Sequence, residues 1–418
     1  MPSDASSTPR PSRPPRPPVP SGARPGYREL LRNREFAGLF ASFALTAAAS
    51  ALSGFALGSL VDRQTGSPFL TAVSMYGATF ATVLGALTLM SVADGSRPRR
   101  TLLALQGASL AGIAAQAVPG LPLAARFALL LALGFFQSLG TGTRMGLLAE
   151  IVPASAYAPA RSLMNITAGA VSVLGYASGA LLVRAIGPHG LFAAAAALTA
   201  LSLAAVAATL RERSIRLARR PGLRSTRAGN AELLGRPGRR ALLLNLWVPN
   251  GLVVGCEALF IPYAAQYAGH LLAAASAGLL LGDLAVGRLL TAGGRRRAAF
   301  PLRLLMAAPF LVFALHPPLP VAAVAVFLAG AGFAATLPMQ EQLLALTPES
   351  VRGQVQGVES AGRMTWQGIG AALAGAAAQA VGPAAAITAL AAASLAVTVL
   401  SRRHVLRETA RTPVSAAE

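Results

Sequence analysis

Long apolar runs, separated by short polar or Pro/Gly-containing segments, make up most of the chain after residue 36. Each run approaches the ~20 residues with which an α-helix crosses a membrane. The pattern predicts twelve transmembrane helices, which we number in chain order as predicted spans. They lie at 36–61, 68–92, 101–118, 124–148, 160–184, 190–210, 241–265, 271–291, 298–316, 319–345, 355–380 and 384–401.

The two halves of the chain share several proline, serine and glycine positions at a constant offset of 195 residues. The shared positions are Pro153 and Pro348, Ser155 and Ser350, Gly175 and Gly370, and Gly187-Pro188 and Gly382-Pro383. A period close to half of the 418 residues indicates two copies of one unit. We therefore expect an all-α integral membrane protein with two pseudo-symmetric six-helix bundles, at 27–210 and 241–401.

The segments outside these bundles are rich in arginine, and the first is also rich in proline. Residues 1–26 contain nine prolines and four arginines, which predicts a disordered tail. Residues 211–240 contain ten arginines and form the predicted linker, and residues 402–418 form a second tail. Because arginine concentrates in cytoplasmic loops, this distribution predicts that both termini and the linker lie on the cytoplasmic side of the cell membrane.

Composition narrows the function classes. Hydrophobic residues make up 54% of the chain and charged residues 12%, against about 25% charged residues in soluble domains. The net charge of +21 lies between apolar runs rather than along one helix face, so we expect a lipid bilayer and no nucleic acid as partner. Lysine is absent, which excludes a Walker-type P-loop and a Schiff-base lysine. One cysteine, Cys256, and four scattered histidines show no ligand spacing, so we expect no metal site. No predicted span carries paired carboxylates, a His-Cys cluster or a Ser-His-Asp set, so we expect neither an enzyme nor a cofactor.

The overall layout resembles the major facilitator superfamily along essentially the whole chain after the tail. The segment LMSVADGSRPRRTLL at 89–103 is similar to that family's cytoplasmic signature, with a methionine at its first glycine position and a proline within the basic run. The matching residues are Asp94, Arg97, Arg99 and Arg100. The resemblance implies a charge latch that closes in one conformation and opens in another. The alternative is that these charges only fix the topology.

Two further segments resemble the drug and siderophore exporters of this superfamily, namely DRQTGSPFL at 62–70 and GTGTRMGLLAEIVPASAYAPARSLMN at 140–165. The resemblance implies that Arg144, near the end of the fourth predicted span, belongs to the cytoplasmic gate. LGYASGALL at 174–182 resembles the antiporter signature of the fifth span, but Tyr176 stands where proline is usual. This departure leaves uptake by proton symport open beside export.

Three glycines are candidates for close helix packing. Gly175 and Gly179 have the G-x-x-x-G spacing, and Gly370 is the repeat equivalent of Gly175. Small residues at this spacing let two helix backbones approach each other closely. We expect each of the three to lie at a helix crossing.

Charges inside predicted spans are informative because each costs roughly 2.5–3.5 kcal/mol at the membrane centre. Glu257 lies in the seventh predicted span, seven residues after Asn250, so both share one helix face. A carboxyl group in a low-dielectric site can take up and release protons near neutral pH, which makes Glu257 the candidate proton-coupling residue. The alternative is a protonated or hydrogen-bonded glutamate that only packs. We assign Asn165, Gln137 and Gln367 to the same substrate cavity.

The eleventh predicted span carries a polar stripe at spacings of three, four and four, formed by Gln356, Glu359, Arg363 and Gln367. Glu359 and Arg363 can pair within the helix, which lowers the cost of holding both in the membrane. We expect this pair, with Glu341 of the tenth span, to form part of a cytoplasmic gate. The alternative is that the stripe only packs against neighbouring helices.

These residues and the resemblance together imply a secondary active transporter. The expected activity is export of a lipophilic or amphiphilic small molecule in exchange for protons, by alternating access and as a monomer. One alternative is proton-coupled uptake of a small solute. Another is a membrane sensor or scaffold that keeps the fold and transports nothing.

Overall fold

The computed structural model describes residues 27–85, 97–212, 235, 237–347 and 352–411, which form helices almost throughout. We number the α-helices of this part in chain order. They are α1 Tyr27–Arg32, α2 Arg34–Thr65, α3 Pro68–Tyr76, α4 Pro98–Gln116, α5 Leu123–Ile151, α6 Ala154–Thr209, α7 Pro237–Ala258, α8 Phe260–Ala264, α9 Ala268–Leu289, α10 Ala292–Ala307, α11 Leu319–Gly332, α12 Thr336–Ala345, α13 Arg352–Val381 and α14 Pro383–Arg411. The 3₁₀ segments Ala308–Leu315 and Phe333–Ala335 continue α10 and α11.

Nine helices in these described ranges are long and apolar enough to cross a membrane. Among them, Pro159–Thr209 covers both the fifth and the sixth predicted span. Helices α4 and α13, which cover the third and eleventh predicted spans, are not among the nine. Their sequences explain this, because α4 begins with two arginines and α13 carries the polar stripe. The number twelve therefore stays a prediction, and the all-helical membrane fold is observed.

In both copies of the Gly-Pro turn, the glycine has a positive φ. Gly187, inside α6, has φ 69° and breaks that helix into two segments. Gly382, just before α14, has φ 86°. Positive φ is the left-handed region, which glycine enters without the steric cost that a side chain would bring. The repeat of the Gly-Pro pair in the sequence thus has a structural cause, since the turn requires a glycine in both halves.

The exporter-like segment at 62–70 forms the turn between α2 and α3. Gly66, with φ 59°, ends α2, and its N–H donates to the carbonyl of Asp62. The hydroxyl of Ser67 accepts a hydrogen bond from the N–H of Leu70 at 3.3 Å, and Pro68 occupies the first turn of α3. A left-handed glycine, a serine cap and a proline at the helix start are the residue types that such a turn requires.

Among the described residues, the apolar core is continuous between the halves toward one end of the molecule. The largest buried cluster includes Phe55 and Phe192 from the N-terminal half and Phe260 and Phe313 from the C-terminal half. These residues lie toward the helix ends predicted to face outside. At the predicted cytoplasmic ends, separate clusters form within each half. In the described ranges, the two halves therefore pack together at their predicted outer ends and have separate cores at their inner ends.

Candidate functional site

Glu257 lies near the end of α7, where the two halves of the molecule meet. Its side chain is partly exposed, and it lies within electrostatic reach of Tyr76 on α3 and Tyr176 on α6. Tyr76 also packs against a buried cluster that includes Ala258 and Ala371. A carboxyl group of the C-terminal half thus lies near two tyrosines of the N-terminal half.

Asn250 and Gln367 are brought together by the crossing of α7 and α13. The amide nitrogen of Gln367 donates to the side-chain oxygen of Asn250 at 3.0 Å, and Asn250 is buried. Beside this pair the two backbones touch, because a methyl group at Gly370 would overlap the carbonyl oxygen of Gly251. The two amides therefore bind each other across a tight helix contact.

Gln137 on α5 and Asn165 on α6 are exposed. Within the described ranges, neither side chain has a hydrogen-bond partner. Their assignment to the substrate cavity remains a prediction.

Glu359 is the centre of a network in the C-terminal half that we call the Glu359 network. Its Oε1 accepts from Nε of Arg363 at 3.1 Å, and its Oε2 accepts from the amide of Gln340 at 3.1 Å. The indole N–H of Trp247 donates to the carbonyl oxygen of Glu359 at 3.0 Å. The Glu359 side chain is only 2% exposed, whereas that of Arg363 is 30% exposed. Glu359 is therefore fixed by partners from three helices.

Arg303 lies behind this network, fully buried on α10. Its Nε donates to the side-chain oxygen of Asn245 at 3.1 Å, and Asn245 in turn donates to the hydroxyl of Ser401. Arg303 also interacts electrostatically with Glu359, and its Nη2 is buried without a hydrogen-bond partner. We call Asn245, Arg303 and Ser401 the C-terminal polar cluster. Sequence reasoning missed it, although a lone arginine inside the ninth predicted span was its signal.

The N-terminal half contains a matching cluster without a charge, formed by Ser42, Thr46, Gln106 and Ser202. The amide of Gln106 lies 2.8 Å from the hydroxyl of Thr46 and 2.9 Å from that of Ser202. The hydroxyls of Ser42 and Ser202 are 2.8 Å apart. We call this set the N-terminal polar cluster. It was also missed, and its signal was Gln106, one of two glutamines in the apolar third predicted span.

Glu341 does not join the Glu359 network. It forms an ion pair with Arg295, with 2.9 Å between Nη2 and Oε1. Arg295 also donates to the carbonyl of Leu290 at the end of α9. The pair is half exposed on the carboxylate side, at the predicted cytoplasmic end. Glu341 thus links α12 to the start of α10, within one half.

The predicted basic latch lies against the end of α6. Arg99 donates to the carbonyl of Ala207 at 3.0 Å, and Arg100 forms an ion pair with Glu212 at 3.5 Å. The last carbonyls of a helix lack intrahelical partners and carry partial negative charge, so an arginine there is favourable. Arg97 precedes α4 without a side-chain cap. Asp94 lies outside the described residues.

Arg144 is buried on α5. Its guanidinium lies 5.6 Å from the ring centroid of Phe43 on α2, and its Nε is buried without a hydrogen-bond partner. The stacking on Phe43 is a cation–π contact. Arg144 therefore connects α5 to α2 inside the N-terminal half.

Gly175 and Gly179 face α2. A methyl group at Gly175 would lie 2.9 Å from Cβ of Ala51, and one at Gly179 would lie 3.4 Å from the ring of Phe55. The α6–α2 contact thus corresponds to the α13–α7 contact at Gly370, with side chains between the backbones instead of direct contact.

The chain resembles known proteins in its three-dimensional structure but not in its sequence. No family model matches the chain, and no curated protein matches its sequence. A POT family transporter, solved in complex with 5-aminolevulinic acid, aligns with a TM-score of 0.73 at 10% identity, over 92% of this chain and 98% of that one. The nucleoside transporter NupG aligns with a TM-score of 0.72 at 12% identity, over 88% and 99%.

A third structure is a bacterial homolog of the human lysosomal transporter Spinster, solved in an inward-facing and unoccupied conformation. It aligns with a TM-score of 0.70 at 13% identity, over 94% of this chain and 100% of that one. The chain has the major facilitator fold. With nine apolar helices of spanning length in its described part, it is a multi-pass membrane protein of that fold. The major facilitator fold also accounts for the repeat, since two similar halves related by an axis along the membrane normal build it.

Proposed function

We propose that this protein is a proton-coupled secondary transporter that exports an amphiphilic small molecule by alternating access. The observation that carries the proposal is the position of Glu257 at the contact between the halves. A carboxyl group there changes its surroundings whenever the halves move against each other, because Tyr76 and Tyr176 belong to the opposite half. Such a change of surroundings is what couples proton uptake and release to a conformational change.

The distribution of contacts between the halves supports alternating access. At the predicted outer ends, Ser67 lies 3.4 Å from Gln379, and Arg184 donates to the carbonyl of Gln266 at 2.6 Å. At the predicted cytoplasmic ends, the ion pairs of Glu341 and Glu212 each stay within one half. Described residues that join the halves outside but not inside form the arrangement in which a substrate would enter from the cytoplasm.

The proposed direction is export, because the segments at 62–70 and 140–165 resemble exporters of this superfamily. The solved structures that align with the chain include a peptide transporter and a nucleoside transporter. At 10 to 15% identity these names do not carry over to this chain. The substrate class must therefore be found by experiment.

The test uses the purified full chain in liposomes that hold a trapped pH dye. Lipophilic cations, macrolide-like compounds, siderophores and amphiphilic carboxylates would be added in turn under an imposed pH gradient. We expect one class to trigger proton movement opposite in direction to its own movement. Movement of protons and compound in the same direction would overturn export in favour of symport. No proton or compound movement with any class would contradict transport and favour a sensor or scaffold.

A further inference from the structure

Arg363 uses only one of its three guanidinium nitrogens in contacts with the described residues. Its Nε is bound by Glu359, and in the described part of the chain its Nη1 and Nη2 have no protein partner. These two nitrogens are unpaired without being fully buried, and the side chain is 30% exposed. Arg363 thus presents a fork of two free donors from inside the fold.

This fork is held in one orientation by the Glu359 network. Glu359 is almost fully buried, and its second oxygen accepts from Gln340 on the neighbouring helix α12. The ring of Trp247 packs on Gly362, next to Arg363, where a methyl group would overlap the indole. Because each of these groups comes from a packed helix, little side-chain entropy is left to lose when the fork binds something.

The charges around Arg363 do not balance. Arg303 and Arg363 contribute two positive charges and Glu359 one negative charge, so these three residues together carry one positive charge in excess. Buried charges are costly unless they are paired, and a planar guanidinium fork matches the two oxygens of a carboxylate or similar oxyanion. Arg303 can compensate Glu359 electrostatically while Arg363 binds another group.

We propose that Arg363 binds an oxyanion group of the transported molecule end-on, through Nη1 and Nη2, with Glu359 and Gln340 as positioning residues. This inference rests on the proposed transport function and deepens it, since it makes the substrate class an amphiphilic anion. A phosphate group of an inner-leaflet lipid has the same chemistry, and the experiment separates the two sources.

The experiment measures binding by the purified full chain in micelles of a non-ionic maltoside detergent, which contain no phosphate. Three probes share one apolar body and differ in charge: 2-naphthoate, 2-naphthylmethylammonium and 2-naphthalenemethanol. Binding is followed by tryptophan fluorescence, since the chain has two tryptophans, Trp247 in the Glu359 network and Trp366 three residues after Arg363. We expect 2-naphthoate to bind more tightly than the other two probes.

The decisive variant is Arg363→Gln. Loss of a hydrogen bond to a charged group is expected to weaken 2-naphthoate binding by about tenfold or more and to leave the alcohol unchanged. Arg288→Gln is the matched control, because Arg288 is an exposed arginine at the end of α9 in the same half, and it should bind as the native protein does. If Arg363→Gln does not yield folded protein, Arg363→Lys decides, since it keeps a cation beside Glu359 and loses the fork. Its affinity for 2-naphthoate should fall severalfold.

Equal affinity of the native protein and a folded Arg363 variant for 2-naphthoate would overturn the proposal, and so would equal affinity for anion and cation. Nanodiscs with phosphatidylglycerol identify the source. If a lipid phosphate occupies the site, 2-naphthoate affinity falls in those discs, and Arg363→Gln removes that difference. Binding needs no proton gradient, so anion binding without transport would refute the transport function alone. Transport without anion preference would refute this site alone.

Discussion

The two halves of the molecule hold polar clusters on corresponding helices, but only one of the clusters is charged. The N-terminal polar cluster joins α2, α4 and α6, and the C-terminal polar cluster joins α7, α10 and α14. These are the first, third and sixth predicted spans of each half. In the N-terminal half, hydroxyl and amide groups bind one another. In the C-terminal half, Arg303 takes the place of Gln106 and keeps one buried nitrogen unpaired.

The difference between the neutral and the charged cluster indicates which copy of the repeated unit is adapted to function. A neutral cluster that binds its own members stabilises a bundle without interacting with anything else. A buried arginine close to Glu359 compensates a carboxylate and so leaves Arg363 available. The N-terminal cluster is therefore interpreted as structural, and the C-terminal cluster as support for the Glu359 network.

The largest effect is expected from Glu359→Ala, which leaves Arg363 and Arg303 without their carboxylate. Breaking a buried pair in this way costs about 3–5 kcal/mol of stability. The midpoint of thermal unfolding in detergent should fall strongly. Glu341→Ala is the matched control, because its pair with Arg295 is half exposed and contributes roughly 0–1 kcal/mol. Equal shifts for both variants would contradict the special position of Glu359.

A glycine-to-alanine substitution should also destabilise the helix crossings of the two halves to different degrees. Gly370→Ala forces a methyl group into the backbone of α7, whereas Gly175→Ala meets only the side chain of Ala51. Overpacking costs typically about 1–3 kcal/mol, with the C-terminal crossing at the upper end because a backbone cannot move aside. Thermal unfolding of the two variants would measure this. A larger loss at Gly175 would contradict the difference between the crossings.

Replacing Gln106, the centre of the N-terminal polar cluster, should lower the free energy of unfolding by a smaller amount. Gln106→Leu removes the donor to Thr46 and Ser202, and unsatisfied buried groups cost about 1–3 kcal/mol. The cost should fall at the low end, because both hydroxyls keep other hydrogen bonds. Unfolding and 2-naphthoate binding should be measured together. A large loss of binding with unchanged stability would overturn the structural interpretation of this cluster.

The smallest effect is expected at the outer contact between the halves. Arg184→Ala removes the hydrogen bond to the carbonyl of Gln266, which is worth about 0.5–1.5 kcal/mol. The population of molecules closed outside should fall, as measured by spin-label distances between the outer ends. Arg63→Ala is the control, since Arg63 is an exposed arginine near the same end. An identical distance distribution for both variants would show that the contact does not stabilise the closed state.

Local patterns predicted local structure well. The spacing of Glu359 and Arg363 predicted their ion pair, because residues four apart on a helix always lie on one face. The glycines of the two repeated Gly-Pro turns also both have a positive φ. For both features, the information lies within a few residues of sequence.

Contacts between helices could not be predicted in the same way. Asn245, Arg303 and Ser401 are far apart in sequence and meet only because α7, α10 and α14 pack together. Likewise, nothing near Arg99 indicated that it would bind the end of α6. A single chain does not reveal which faces of two helices meet, since many registers bury equally apolar surfaces.

The most direct test of the account compares two kinds of transport by Glu257→Gln. In liposomes without a pH gradient, exchange of labelled for unlabelled compound reports the movement of the halves alone. With a pH gradient, net accumulation reports coupling to protons. We predict that Glu257→Gln keeps exchange and loses proton-driven accumulation, while Asp283→Asn, which changes a carboxyl group on α9, keeps both. Proton-driven accumulation at the native level in Glu257→Gln would contradict the account.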